Sequence, residues 1–166
     1  TLAALHAQRP RMVLGFEAFP RRAQPVLERW VAGELTAAQF LAEARWDEAW
    51  GEPAELYLPL FEFARLNRIP IVALNVERAL TEAVRKQGWD AVPAERKEGL
   101  SPPAPVSEAY REHLFEVFRE HSRDAKGTPR PVARSDAAFR YFVESQLTWD
   151  RAMAEALARR LGADGA

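Results

Sequence analysis

The stretch RMVLGFEAF, residues 11–19, is a short apolar run that carries one carboxylate, Glu17, near its end. A second apolar run, IPIVALN at residues 69–75, has its proline near the start, where a strand tolerates it. Runs of this length and composition predict buried parallel strands. Helical sequence follows each run, which is the βα pattern of an α/β sheet. Because two strands make a poor sheet, we expect further strands from outside this chain or from a second copy.

Composition limits the class of protein. The chain has 166 residues, 48% of them hydrophobic, and a formal net charge of -1, so nothing in its charge predicts a nucleic-acid partner. It has no cysteine, which excludes disulfides, thiolate zinc sites and a cysteine nucleophile. No apolar stretch approaches the roughly 20 residues of a membrane span, and the first residues, TLAALHAQRP, lack the features of a signal peptide. We therefore expect a fragment or processed form without a transmembrane segment.

The pattern of helices, loops and strands predicts a helix-rich α/β fold, with a parallel-strand core flanked by helices and an inserted all-helical lobe. We divide the chain into the first part of the α/β core (1–87), a helical lobe with proline-rich linkers (88–134) and a long helix that packs back on the core (135–166). Helices are predicted at residues 22–33, 36–50, 59–67, 78–87, 107–124 and 135–162. The residues predicted to begin or end them are Gly33, Thr36 with Gln39 in a capping box, Pro59, Ser107, Ser135 and Gly162.

The polar residues at the two strand ends are the first candidate site. Ligands gather at the C-terminal ends of parallel strands, so Glu17, Asn75 and Arg78 are expected to converge on one rim. In the alternative interpretation Glu17 faces solvent, Asn75 caps the next helix and Arg78 pairs with Glu82. Arg21, which follows the first strand, is suited to an anion such as a propionate or is simply solvated.

The last predicted helix carries the second candidate. Gln146, Trp149 and Asp150 share a stripe with apolar residues, and buried polar groups there must find hydrogen-bond partners. They are suited either to hydrogen-bond the strand-end rim or to form a structural polar network.

Single metal ligands are the third candidate. His113 and His121 lie eight residues apart, about 12 Å along a helix, so they cannot chelate one metal together. Either of them, or a tyrosine such as Tyr110 or Tyr141, could serve alone as an axial ligand to a haem iron, although such residues are more often ordinary surface residues. A hydrolase nucleophile is poorly supported, because no serine lies in a G-x-S-x-G turn and no glycine-rich phosphate loop occurs.

Several motifs in order resemble one known family. GFEAFPRRAQPVLERWVAGELTAAQFLAEARWDEAWG, YLPLFEFARLNRIPIVALNVERALT and SQLTWDRAMAEALA are similar to the ChaN-type haem-binding uptake family of the Tiki / erythromycin-esterase-like superfamily. The resemblance runs from about Met12 to Leu161. The matching positions are Glu17, Gln24, Trp46, Asp47, Trp50, Gly51, Tyr57, Pro59, Asn75, Arg78, Gln146, Trp149, Asp150, Met153 and Ala154.

The chain also departs from the family pattern. Glu77 stands where proline is common and Ser145 where alanine is usual. The family's opening strand with G-E-x-H and its closing strands with glycine and histidine are not found here. We therefore expect the chain to correspond to the central portion of such a protein.

The resemblance implies a non-enzymatic haem-binding protein of bacterial iron and haem uptake, an iron-regulated lipoprotein or periplasmic protein of the cell envelope. Haem would occupy an apolar cleft between the helical lobe and the strand-end rim, with a homodimer as one option. The aromatic residues suited to its apolar face are Trp89, Phe115, Phe118, Phe139 and Phe142. Residues expected to bind the cofactor are Glu17, Arg21, Gln24, Asn75, Arg78, Tyr110, His113, His121, Tyr141 and Gln146. The iron ligand would be one of Tyr141, Tyr110, His113 and His121, and a tyrosinate would suit ferric haem that is later released.

Two other functions stay open. The superfamily contains enzymes that use glutamates and histidines, so Glu17 could hold a metal or activate water in a metal-dependent hydrolase. In the other alternative the chain is a ligand-free interaction or scaffold domain, and Glu17, Gln146 and Asp150 form a structural network.

Overall fold

A computed structural model of the chain describes residues 1–123 and 126–163. Its internal contacts divide these residues into two compact units. The first unit comprises residues 1–76 and 153–163, and the second comprises residues 77–152. Asp124, the last residue of one predicted helix, and residues 164–166 lie outside the described residues. The three-part division expected from the sequence stays a prediction.

Two parallel strands lie in the first unit. Strand β1, Leu14–Pro20, pairs with strand β2, Ile71–Asn75, with Leu14 opposite Ile71. The register becomes irregular after Phe16, and Pro20 is the last residue of its strand. The helix-rich α/β fold predicted from the sequence is confirmed, although β1 begins three residues later than predicted.

In the described part of the first unit, one helix precedes β1 and four helices lie between β1 and β2. They are α1 (Leu2–Gln8), α2 (Gln24–Ala32), α3 (Ala37–Ala44), α4 (Trp46–Ala49) and α5 (Leu58–Leu66), with short 3-10 turns at Arg21–Ala23 and Ala54–Leu56. Gly33 ends α2 in the left-handed conformation at φ 84°, and Thr36 and Gln39 form the predicted capping box. The single helix predicted over 36–50 is wrong: Arg45 adopts φ 56° and separates α3 from α4.

Aromatic side chains fill the core of the first unit. Phe19, Trp30, Phe40, Trp46 and Phe61 are fully buried, and the rings of Trp30 and Phe40 stack with centroids 4.6 Å apart. Each buried indole nitrogen donates to a backbone carbonyl, that of Trp30 to Phe61 at 2.9 Å and that of Trp46 to Glu52 at 2.7 Å. The polar atoms of these rings are therefore satisfied, and their large apolar surfaces stabilise the unit.

The second unit is helical. It comprises α6 (Arg78–Gln87), a 3-10 turn at Ala94–Arg96, α7 (Glu108–His121) and residues 137–152 of α8 (Ala137–Ala163). Ser107 caps α7 as predicted. The last helix begins two residues after the predicted Ser135 and continues through Gly162. Within residues 1–123 and 126–163, no helix combines the length and apolar character that crossing a membrane requires.

Candidate functional site

The ends of the two strands are tied together by Asn75. Its side-chain Nδ2 donates to the backbone carbonyl of Glu17 at 2.9 Å, and its Oδ1 accepts from the backbone N–H of Val76. Asn75 therefore does not cap α6, which begins after Glu77 without a side-chain cap. The side chain of Glu17 is exposed to solvent. The backbone carbonyl of Glu17 therefore contributes to the fold, and its carboxylate lies at the surface.

The other two residues expected at this rim lie in the second unit. Arg78 is exposed and forms an ion pair with Glu82 at 2.9 Å, as one interpretation of the sequence predicted. Gln146 is half-buried on α8. A common rim that joins Arg78 and Gln146 to Glu17 and Asn75 stays a prediction.

Gln24 occupies the edge of β2 that β1 leaves open. Its Nε2 donates to the carbonyl of Ile71 at 3.0 Å, and its Oε1 accepts from the N–H of Ala73 at 2.9 Å. In a wider sheet, the peptide groups of a neighbouring strand would form these two hydrogen bonds. Here the side-chain carboxamide of Gln24 forms them in place of such a strand. Ile71 and Ala73 are both buried, so their backbone groups need these hydrogen bonds to avoid being left without a partner.

A cavity of about 810 Å³ lies beside this edge, and we name it the edge cavity. All of its lining residues belong to the first unit. Its wall includes Gln24 and the backbone of β2, and its apolar surface comes from Val31, Pro70, Ile71, Val72 and Ala156. The volume lies within the range of sites for small molecules and cofactors.

Arginines surround the edge cavity. Arg21, Arg68, Arg159 and Arg160 line it, with Glu28 as the acidic side chain among the lining residues. Glu155 lies 3.8 Å from Arg21 and 2.7 Å from Arg159, measured between guanidinium nitrogens and its carboxylate, and only 17% of the Glu155 side chain is exposed. Among the lining residues, four carry a guanidinium group and one carries a carboxylate, and Arg21 and Arg159 share Glu155 beside them.

The candidate iron ligands lie in the second unit, and Tyr110 is the most constrained of them. Its hydroxyl donates to Asp150 Oδ2 at 3.0 Å. Burial raises the pKa of Tyr110 above its ordinary value of 10.0, and the hydrogen bond and negative charge of Asp150 raise it further. Since a tyrosinate ligand must lose this proton, the environment opposes iron binding by Tyr110.

Tyr141 is half-buried, and its ring packs closely against the backbone of Gly88. A Cβ added to Gly88, which has φ 85°, would lie 2.8 Å from Cε1 of the Tyr141 ring. The guanidinium of Arg140 lies over the ring at 4.8 Å and donates to the Tyr141 hydroxyl at 3.0 Å. The ring is therefore held in place by its neighbours on both sides.

The two histidines of α7 are exposed, and they differ in orientation. His121 has its Nδ1 2.8 Å from the carbonyl oxygen of Val117, so in the neutral ring Nδ1–H donates and Nε2 keeps its lone pair. His113 stacks on Tyr110 with ring centroids 6.3 Å apart. A histidine whose second nitrogen donates to a carbonyl is the usual arrangement of a metal ligand, which favours His121.

The aromatic residues expected to form the apolar face of a haem site pack on one another. Phe139 contacts both Phe115 and Phe118, with ring centroids 5.1 and 5.5 Å apart, and Phe118 also contacts Phe142. Phe139 is fully buried, and Trp89 is also buried. The four phenylalanines, without Trp89, belong to one core cluster of the second unit that joins α7 to the first part of α8.

Sequence patterns missed part of this geometry. Nothing marked Arg68, Arg159 and Arg160 as neighbours, although two of them form an Arg-Arg pair near the end of α8. Asp150 was recognised as a polar residue on an apolar stripe, but its partner Tyr110 lies 40 residues away along the chain. In the described residues, no three histidine, aspartate or glutamate side chains come together to form a potential metal site.

The comparisons with known proteins identify one family. The sequence model of the family described as haem-binding uptake, Tiki superfamily, ChaN, matches residues 1–165. Neither the curated proteins nor the solved structures contain a match. The match covers both units of the chain, including the edge cavity and the candidate iron ligands.

Proposed function

The chain belongs to the ChaN family of haem-binding uptake proteins in the Tiki superfamily, and we propose that it binds haem for transfer without catalysing a reaction. The observation that carries this proposal is the family match over residues 1–165. The residues of the second unit suit the cofactor, because this unit offers exposed histidines and half-buried tyrosines. These are groups that ligate haem iron.

We propose His121 as the axial ligand. Its hydrogen bond to Val117 orients the ring and leaves Nε2 for the iron. Haem supplies an open iron coordination position, and the chain supplies the nitrogen that fills it. Tyr110 is a weaker candidate because its raised pKa keeps it protonated, whereas Tyr141 and His113 lack a feature that prepares them for iron.

A titration with ferric haem followed by visible absorbance tests this proposal. We expect a saturable shift of the Soret band, which is lost or strongly altered in His121→Ala. His6→Ala is the matched control, because His6 is another of the three histidines and lies on α1, where its ring contacts Phe63. Tyr141→Phe, Tyr110→Phe and His113→Ala should leave the spectrum unchanged.

The outcomes separate the candidates. A shift that survives His121→Ala but changes in one of the other three variants would assign the iron to that residue. A spectrum equal to that of haem mixed with an unrelated protein would contradict haem binding by this chain.

We further propose that the protein acts in the bacterial cell envelope, in the periplasm or on a lipid anchor, under control of iron supply. The support is the uptake role of the family. Cell fractionation with an antibody to the chain should find it in the envelope fraction, at higher levels under iron limitation. Haem-dependent dimerisation, our further expectation, is tested by light scattering with and without haem, and an unchanged monomer mass would exclude it.

A further inference from the structure

We infer that the outer edge of β1, on the side away from β2, is an interface at which two copies of the chain pair antiparallel. The two-stranded sheets of the two copies then join edge to edge. The register of this pairing places Arg11 of each copy opposite Glu17 of the other. The surface lies wholly in the first unit, and the pairing needs no haem.

The outer edge of β1 is open. In the described residues β1 pairs with β2 alone. The N–H of Leu14 donates to the carbonyl of Pro70 at 2.9 Å, so Leu14 and, two residues further on, Phe16 direct their peptide groups toward β2. Val13 and Gly15 direct theirs to the outer edge, where the part of the chain that the structure describes offers them no hydrogen-bond partner. A row of such peptide groups is a template for another strand.

This edge lacks the features that keep exposed strand edges from pairing. Residues 12–16 contain no charged residue and no proline, and the register of β1 becomes irregular only after Phe16. The side chains of Met12, Leu14 and Phe16 are half-buried rather than buried. Because pairing would remove more of their apolar surface from water, the hydrophobic effect favours association at this edge.

The sequence of the edge is complementary to itself in the antiparallel direction. Residues 11–17, RMVLGFE, have Leu14 at the centre, so a pair centred there places Arg11 opposite Glu17 at both ends. Both charged side chains are exposed, and neither forms an ion pair within the described residues. Opposite charges at facing positions stabilise a strand pair, and like charges there destabilise it. The charges therefore favour a second copy of this chain as the partner.

The same register also pairs the peptide groups. It places Val13 opposite Gly15, and since both face the outer edge, the two residues exchange their hydrogen bonds in each of two symmetric pairs. A shift by one residue would place these peptide groups opposite ones that are already bonded to β2. A shift by two would keep the hydrogen bonds but place Arg11 opposite Gly15. Charge and hydrogen bonding thus select one arrangement, a two-fold symmetric interface.

Sedimentation velocity of the whole chain without haem tests the inference. We expect a monomer–dimer equilibrium with a dissociation constant on the order of 10–100 µM, because so short an edge buries less area than a standard interface. Arg11→Glu and Glu17→Arg should each weaken the dimer about tenfold, since each places like charges opposite one another at both ends. The double variant restores opposite charges and should return to within about threefold of the unaltered chain.

Glu55→Arg is the matched control for the charge change. It makes the same substitution at an exposed position of the first unit outside β1 and should leave the dissociation constant unchanged. Hydrogen exchange locates the interface, because the amides of Val13 and Gly15 should exchange more slowly as the concentration of the chain rises. A monomer at all concentrations up to about 500 µM, a double variant as weak as the single ones, or exchange of both amides that does not depend on concentration would overturn the inference.

This dimer and haem binding are tested separately. His121→Ala should keep the dimer, because His121 lies in the second unit. A dimer that forms only with haem would support haem-dependent dimerisation and would overturn pairing at β1. A haem-free dimer with the expected response to the charge variants would support pairing at β1, whether or not the haem titration succeeds.

Discussion

Replacement of Gln24 by alanine tests whether its side chain takes the place of a neighbouring strand. The change removes two hydrogen bonds, of 3.0 and 2.9 Å, and leaves the carbonyl of Ile71 and the N–H of Ala73 without protein partners. Each such loss costs about 1–3 kcal/mol. Water from the adjoining cavity can replace part of it, so we expect the free energy of unfolding to fall by about 2 kcal/mol, roughly a 30-fold change in the folding equilibrium.

Denaturant unfolding measures this loss, and hydrogen exchange locates it. The amide of Ala73 should exchange faster in Gln24→Ala, because it loses its only acceptor at this edge. Gln87→Ala is the control, since it removes one exposed hydrogen bond of 3.2 Å to Ala91 and should cost less than about 0.5 kcal/mol. Equal unfolding free energies for Gln24→Ala and Gln87→Ala, with Ala73 still protected, would refute the strand-replacement role.

Two further predictions concern the second unit. The raised pKa of Tyr110 means that the folded phenol stays protonated when the unfolded one ionises, so its stabilisation is complete below about pH 10 and is lost as the pH rises above it. Asp150→Asn should lower the pKa of Tyr110 toward 10.0 in a phenolate absorbance titration, and an unchanged titration would contradict the pairing. Gly88→Ala should destabilise the unit by about 1–3 kcal/mol in denaturant unfolding, because φ is 85° and the new Cβ would lie 2.8 Å from the Tyr141 ring. Unchanged stability would show that the Tyr141 ring can move aside at no cost.

Local chemistry made much of the fold predictable. The two apolar runs became parallel strands, and Thr36 with Gln39 formed a capping box, because these signals lie within a few residues of each other. The break at Arg45 was not predictable, since no glycine, asparagine or proline marks it and an arginine at φ 56° is uncommon. The spacing of apolar residues that is typical of a helix continues through Arg45.

The candidate site was less predictable, because its contacts are long-range. The sequence marked Gln24 only through the family resemblance, and its true partners lie 47 and 49 residues away along the chain. Four of the aromatic residues expected at a haem surface, Phe115, Phe118, Phe139 and Phe142, pack in the core of the helical unit. A periodic pattern shows which residues share a face of a helix, but it does not show what covers that face.

The most direct test of the central claim is the resonance Raman spectrum of the ferric haem complex of the chain, since it identifies the atom bound to the iron. The account predicts an iron–histidine complex that is lost in His121→Ala and retained in His6→Ala. Phenolate modes that vanish in Tyr141→Phe or Tyr110→Phe would contradict the assignment of His121, and the absence of any protein ligand would contradict specific binding of haem iron.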